Sequence, residues 1–299
     1  MFGSGLPSKP KDPVERFYLL APALVLLAVF VVGLVVFSVL SATGRQPQLR
    51  GVKHNQLFGP FLGRFLVWMM QPAERLLVGR VSANAVTAMS LLLCALTGIA
   101  AATGHLTGAV WMYTLAGILD ALDGRLARLN SEQTSAGALF DSVSDRWGEL
   151  FALSGYVWYL RESPWMFAAL GVLGASQMVS YTRARAESLG YDLRGGVMQR
   201  AERVVLVAAG TLVAAWYGAN PETVGAVVPI LGGVMLVVAI ASTGTALNRW
   251  FVAYRELARR ASKPTEIATP TPALASQMSF AVPQKLRDSA ELAPAAPRI

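Results

Sequence analysis

The stretch Asp120-Ala121-Leu122-Asp123-Gly124-Arg125-Leu126-Ala127-Arg128, followed after eight residues by Gly137 and then by Asp141 and Asp145, decides how this chain is read. Both halves of it sit in apolar sequence. Asp120 and Asp123 are three apart, Asp141 and Asp145 four apart. On helices these spacings put each pair on one face. Ionisable groups inside a bilayer are costly, so they mark a functional site turned to the interior of a helical bundle. Four carboxylates converging from two helices cannot all stay ionised without a compensating cation. Hard divalent cations take oxygen ligands, which points to Mg²⁺ or Mn²⁺.

The composition agrees with a membrane setting. Of 299 residues, 54% are hydrophobic and 15% charged, against roughly a quarter charged in soluble domains. Several apolar stretches approach the ~20 residues that a spanning helix needs. Cys94 is the only cysteine, which excludes a disulfide framework and a cysteine-based zinc site. A net charge of +8 suits loops facing an anionic membrane surface. The arginines sit beside apolar spans, so we expect no nucleic-acid partner.

Working outward, residues 1–16 form a polar N-terminus with Lys9, Lys11 and Arg16. Residues 17–41 are almost wholly apolar and long enough to span; the stretch exceeds the apolar core of a signal peptide, so we read it as an uncleaved helix, bent at Pro22. Residues 42–80 hold a basic connector (Arg45, Arg50, Lys53) and an amphipathic segment. Phe58, Phe61, Phe65, Trp68 and Met69 recur there at helical intervals, as in a helix lying in the membrane interface. Residues 81–260 are expected to form six further spans, near 81–103, 106–127, 137–160, 164–186, 201–217 and 224–251. Positive charge at Arg125, Arg128, Arg194, Arg200, Arg255, Arg259 and Arg260 puts one set of loops, and the aspartates, on the cytoplasmic side of the cell (inner) membrane. That topology would turn residues 1–16 outward, against their own positive charge. Residues 261–299 are rich in Pro, Ala, Ser and Thr and read as a disordered tail.

The eight fixed positions form the pattern D-x2-D-G-x2-A-R-x8-G-x3-D-x3-D. In this the chain resembles the CDP-alcohol phosphotransferases, membrane enzymes of phospholipid synthesis with a core of six transmembrane helices. The resemblance implies attack by an alcohol on the β-phosphorus of a CDP-linked donor such as CDP-diacylglycerol, with release of CMP. It implies two Mg²⁺ or Mn²⁺ ions held by Asp120, Asp123 and Asp141, with Asp145 as general base and a further contact to metal. Gly124, Ala127 and Gly137 would allow close approach of the donor, and Arg128 would bind its phosphate. Packing between helices would account for Gly137 equally well. A homodimer is expected.

Two weaker elements accompany the motif. Ser82-Ala83-Asn84-Ala85-Val86-Thr87 stands where many relatives carry Pro-Asn-x-x-Thr near the nucleotide, so Asn84 and Thr87 are candidate donor contacts. Capping of the helix by Ser82 or Asn84 is an equal alternative. Arg183, Arg203 and Arg249 come from three predicted helices near one level. Three guanidiniums suit an acceptor that already carries a phosphate. These segments look like bacterial phosphatidylinositol-phosphate synthases, which implies inositol 1-phosphate as acceptor, with glycerol 3-phosphate as the alternative. Structural pairing, as of Arg183 with Glu187, competes with that reading. Outside enzymes, a divalent-cation transporter would also place aspartates in the membrane. No second copy of the aspartate pattern accompanies the first, as internal repeats would require.

Overall fold

The computed structural model describes residues 13–43, 59–193 and 195–262. Among them every element is helical: α1 (Pro13–Ala42), α2 (Gly59–Leu77), α3 (Ala83–Ala102), α4 (Leu106–Leu129), α5 (Ser135–Tyr159), α6 (Met166–Ser188), α7 (Arg200–Gly218), a 3-10 turn (Val224–Ala226) and α8 (Val227–Ser262). The basic connector, Phe58, Arg194 and the tail beyond Ser262 lie outside the described residues. The chain divides into two units, residues 1–253 and 254–299. In the second, the end of α8 carries Glu256 paired with Arg259 and Arg260.

Helix ends fall where the sequence provides caps. Ser82 Oγ accepts the Ala85 amide at 3.3 Å and caps α3. Thr134 Oγ1 accepts the Gly137 amide at 3.0 Å and caps α5. Asn130 ends α4, and Ser131 adopts a left-handed backbone (φ 58°) that turns the chain toward α5. The same turn ties down the start of α3. Asn130 Oδ1 accepts the Gly79 amide, and Glu132 Oε2 accepts the Ala83 amide, both at 3.0 Å. A carboxylate there also complements the helix dipole. α1 is a single helix through Pro22.

α3 packs against both α4 and α5, α4 against α7, and α5 against α6. Residues of α8, among them Leu231, Met235 and Val238, join one core with Tyr113, Leu153, Tyr156, Val172 and Val207. The α3–α5 crossing depends on two glycines. A Cβ at Gly155 would stand 2.0 Å from the Gly98 carbonyl oxygen, and one at Gly98 would stand 2.2 Å from the Phe151 oxygen. Backbones this close are a mark of small residues at helix contacts in membranes. α5 runs along α3 from this contact back to Gly137, which faces Asn84 near the start of α3.

Among the described residues, three segments are both long and apolar enough to cross a bilayer, Ala83–Ala102, Arg200–Gly218 and Val224–Ala261, and Leu27–Ala42 is a shorter apolar stretch. α2 is amphipathic, as its pattern predicts. Its buried Phe65 meets Phe30 of α1 edge-on at 5.1 Å, and Phe37 of α1 packs among Phe61, Phe65 and Trp68. Glu74 on the same helix is buried and forms a two-pronged ion pair with Arg125 of α4. That clamp fixes α2 beside the turn holding Asp123 and Gly124.

Candidate active site

The last two turns of α4 and the first turns of α5 bring the motif together. Asp120, Asp141 and Asp145 are half-buried, and one carboxylate oxygen from each lies within 4.8 Å of the others. This donor set of three hard oxygens fits a divalent cation. Asp123 is not one of these three. It is buried, and its Oδ2 accepts the hydroxyl of Thr87 on α3 at 2.6 Å. Thr87, read from the sequence as a donor contact, here holds an aspartate of the motif in place. Its hydroxyl oxygen also lies 3.1 Å from the Ala83 carbonyl.

The remaining motif positions line the same region. A Cβ on Gly137 would meet Thr134 Oγ1 at 3.1 Å and Asn84 Oδ1 at 3.5 Å, so Asn84 of α3 and Gly137 of α5 face each other. Ser82 is the residue that caps α3, which leaves the exposed Asn84 side chain at this junction. Beside Gly124 the nearest neighbour of such a Cβ would be Arg128 Nη1 at 3.8 Å. Arg128 is exposed and folds back along α4 toward that open space. Ala127 is partly buried and packs on the α2–α4 cluster of Met70, Leu122 and Leu126.

The three arginines expected to bind an acceptor phosphate each have an intramolecular partner. Arg203 is fully buried; its Nε donates to Glu149 Oε1 at 2.9 Å, its Nη2 to the same oxygen, and its Nη1 to the Met198 carbonyl at 3.2 Å. Arg249, also buried, donates from Nη1 to the Val179 carbonyl at 2.9 Å and from Nε and Nη2 to the Gly195 carbonyl at 2.9 and 2.7 Å. It thereby secures the turn at Gly195 and Gly196, both at positive φ (103° and 115°), against α8. Carbonyl acceptors account for the tolerance of a guanidinium in so apolar a helix. Arg183 is half exposed and meets Glu187 at 2.8 Å one helical turn away.

Sequence reading missed three participants. Arg200 counts in the sequence only as a positive charge at a loop end, yet its Nη1 bridges Asp120 and Asp145. Glu149 is one turn beyond Asp145 on α5 and is the buried partner of Arg203. Glu132 lies in the loop that caps α3. For Glu149 the i,i+4 spacing from Asp145 was the available signal. Nothing short of the α5–α7 packing could have paired it.

Apolar helices around a carboxylate cluster define a helical membrane protein with an acidic, cation-type site. The sequence model of CDP-alcohol phosphatidyltransferase matches residues 80–245, more than half of the chain, and the chain belongs to that family. Among curated proteins it is 34% identical over 123 residues to phosphatidylinositol phosphate synthase of Mycobacteroides abscessus, covering 39% of this chain and 54% of that one. It is 30% identical over 185 residues to archaetidylinositol phosphate synthase of Methanothermobacter thermautotrophicus, covering 62% and 89%. It is 36% identical over 105 residues to phosphatidylinositol phosphate synthase of Mycobacterium tuberculosis, covering 34% and 47%. The chain thus spans about half the length of these two mycobacterial relatives. Among solved structures, the M. tuberculosis phosphatidylinositol phosphate synthase with CDP-DAG bound aligns with a TM-score of 0.53 and 27% identity, over 62% of this chain and 94% of that one. The same enzyme in complex with manganese and citrate aligns equally well, over 61% and 88%.

Proposed function

We propose that this protein transfers a phosphatidyl group from CDP-diacylglycerol to inositol 1-phosphate, releasing CMP. The observation that carries the reading is the convergence of Asp120, Asp141 and Asp145 from α4 and α5 within 4.8 Å, in the order of the family motif. The relatives' names and the CDP-DAG and manganese complexes of the M. tuberculosis enzyme support it.

Asp120, Asp123, Asp141 and Asp145 would hold Mg²⁺ or Mn²⁺, two ions in all. When bound, the metal neutralises the diphosphate and orients its β-phosphorus. The residues of the chain do the rest. Asp145 accepts the proton of the acceptor hydroxyl as that oxygen forms its bond to the β-phosphorus. The bond from that phosphorus to the bridging oxygen breaks, and the electron pair leaves on CMP. Arg128, exposed beside Gly124, takes the donor phosphate. Gly124, Ala127 and Gly137 keep side chains out of the way, and Asn84 lies where the nucleotide would lie across α3 and α5. Thr87 orients Asp123. Of the acceptor arginines, Arg183 has its guanidinium at the surface and meets the phosphate first. Arg203, paired with Glu149, and Arg249, tied to backbone carbonyls, would position the elements behind it.

The same reading sets the topology. Residues 81–260 form the six-helix catalytic domain, with the site at the cytoplasmic face of the inner membrane. α2 lies in the interface, α1 is an added span, and the protein is a homodimer. An acceptor screen with CDP-diacylglycerol tests the assignment: inositol 1-phosphate should turn over, and inositol, glycerol 3-phosphate and serine should not. Turnover with glycerol 3-phosphate instead moves the chain to a phosphatidylglycerophosphate-type reaction.

A further inference from the structure

We infer that Arg200 is a built-in counter-cation of the aspartate site, and that it and a divalent metal ion hold Asp120 and Asp145 in turn. The inference rests on the reading of the aspartates as a metal site. Arg200 is the first residue of α7, and its Nη1 donates to Oδ1 of Asp120 and Oδ1 of Asp145. These are two of the three aspartates that converge. A cation bound by them needs their oxygens at ~2.0–2.6 Å. Nη1 cannot keep its place between the same two carboxylates, both because the space is taken and because like charges repel at that distance.

The side chain is built to leave. Both of its hydrogen bonds come from Nη1, and its Nε is buried with no partner. Arg203, one turn on, differs: Nε, Nη1 and Nη2 are all engaged. Arg200 is therefore held at its tip alone, by the groups a metal would claim. The glycine on α5 lets the guanidinium lie close, since a Cβ at Gly148 would stand 3.7 Å from Arg200 Nη2. The side chain keeps 19% of its surface exposed, so it is not sealed in the core. While no cation is bound, Arg200 offsets the repulsion between the carboxylates; on loading it withdraws. Metal affinity is then set as a competition with the chain's own guanidinium.

The test uses the full chain purified in detergent and titrated with Mn²⁺, with free ion read by electron paramagnetic resonance. Asp120→Asn should abolish saturable binding. Arg200→Gln should bind Mn²⁺ about ten-fold tighter or more than wild type, the scale of a lost charge-assisted hydrogen bond. Arg200→Lys, shorter and without the fork, should fall between. Without metal Arg200→Gln should melt below wild type, and saturating Mn²⁺ should remove that deficit. Equal or weaker Mn²⁺ binding by Arg200→Gln overturns the inference and makes Arg200 an orienting partner of the aspartates. Should Arg200→Gln not fold, Arg200→Lys decides by the same criterion. A wild type with no saturable Mn²⁺ overturns the metal reading and this inference with it.

Discussion

At the scale of single residues, the proposed roles give Asp145 of α5 and Asp120 of α4 different duties. Asp145→Asn is expected to lower CMP release by ~10²–10⁴, the usual cost of losing a positioned base. It should leave CDP-lipid binding largely intact, whereas Asp120→Asn should lose both. Lipid-binding assays on the two variants check this, and equal loss of donor binding would place Asp145 wholly among the metal ligands. The arginines divide in the same way. Arg183→Ala removes a surface guanidinium whose exposed pair with Glu187 is worth only ~0.3–0.5 kcal/mol to the fold. We expect it to raise the acceptor KM about ten-fold with the donor KM unchanged. Arg203→Ala strands the buried Glu149 carboxylate and should cost ~3–5 kcal/mol of stability, read as a lowered melting temperature before any kinetic effect. The aspartates were legible in the sequence because carboxylates at helical spacing in apolar sequence are too costly to persist without a task. Arg200 and Glu149 were not, because a charge near a helix end also satisfies positive-inside topology, and only packing across α5 and α7 selects its partner.

At the scale of elements, the fold turns on how close α3 and α5 come. Gly155→Val would drive a side chain into the Gly98 carbonyl, so it should separate the two helices and cost at least the ~1–3 kcal/mol typical of overpacking. The corresponding readout is thermal unfolding, with loss of activity following from the displaced Asp141 and Asp145. An unchanged melting temperature would mean that the crossing is more pliant than its geometry implies. α1 is a different case. Its aromatic contacts are to α2, through Phe30 and Phe37, and it holds none of the proposed catalytic or binding residues. Removal of residues 1–43 is expected to lower stability and to leave turnover by the folded remainder within a few-fold of the full chain. A truncated protein that inserts and folds but is inactive would tie α1 to the site. Helices α3 to α7 lie within a few residues of the expected spans, with ends at caps such as Ser82 and Thr134, whereas α8 runs on to Ser262, well past the expected end at 251. The crossing of α3 and α5 was not legible in the sequence, because a glycine in an apolar helix looks the same whether it faces lipid or a backbone.

At the scale of the whole molecule, the elements converge on one end of the bundle. The C-terminal end of α4, the start of α5 and the start of α7 meet there, and their charges are satisfied mostly by one another. Asp120 and Asp145 meet Arg200, Glu149 meets Arg203, and Glu74 meets Arg125. Buried charges paired in this way are weak evidence of stability, because desolvation offsets much of the attraction. Their concentration in an apolar setting is what the proposed reaction, with an anionic donor and a cation, would call for. One reaction therefore decides the assignment. Purified protein is given CDP-diacylglycerol, inositol 1-phosphate and Mn²⁺, and the lipid product is read by mass spectrometry alongside CMP. Phosphatidylinositol phosphate and CMP are expected in equal amounts, both abolished by a chelator and by Asp120→Asn. Neither product from a folded protein that binds Mn²⁺, or the same yield after chelation, would contradict a metal-dependent phosphatidyl transfer.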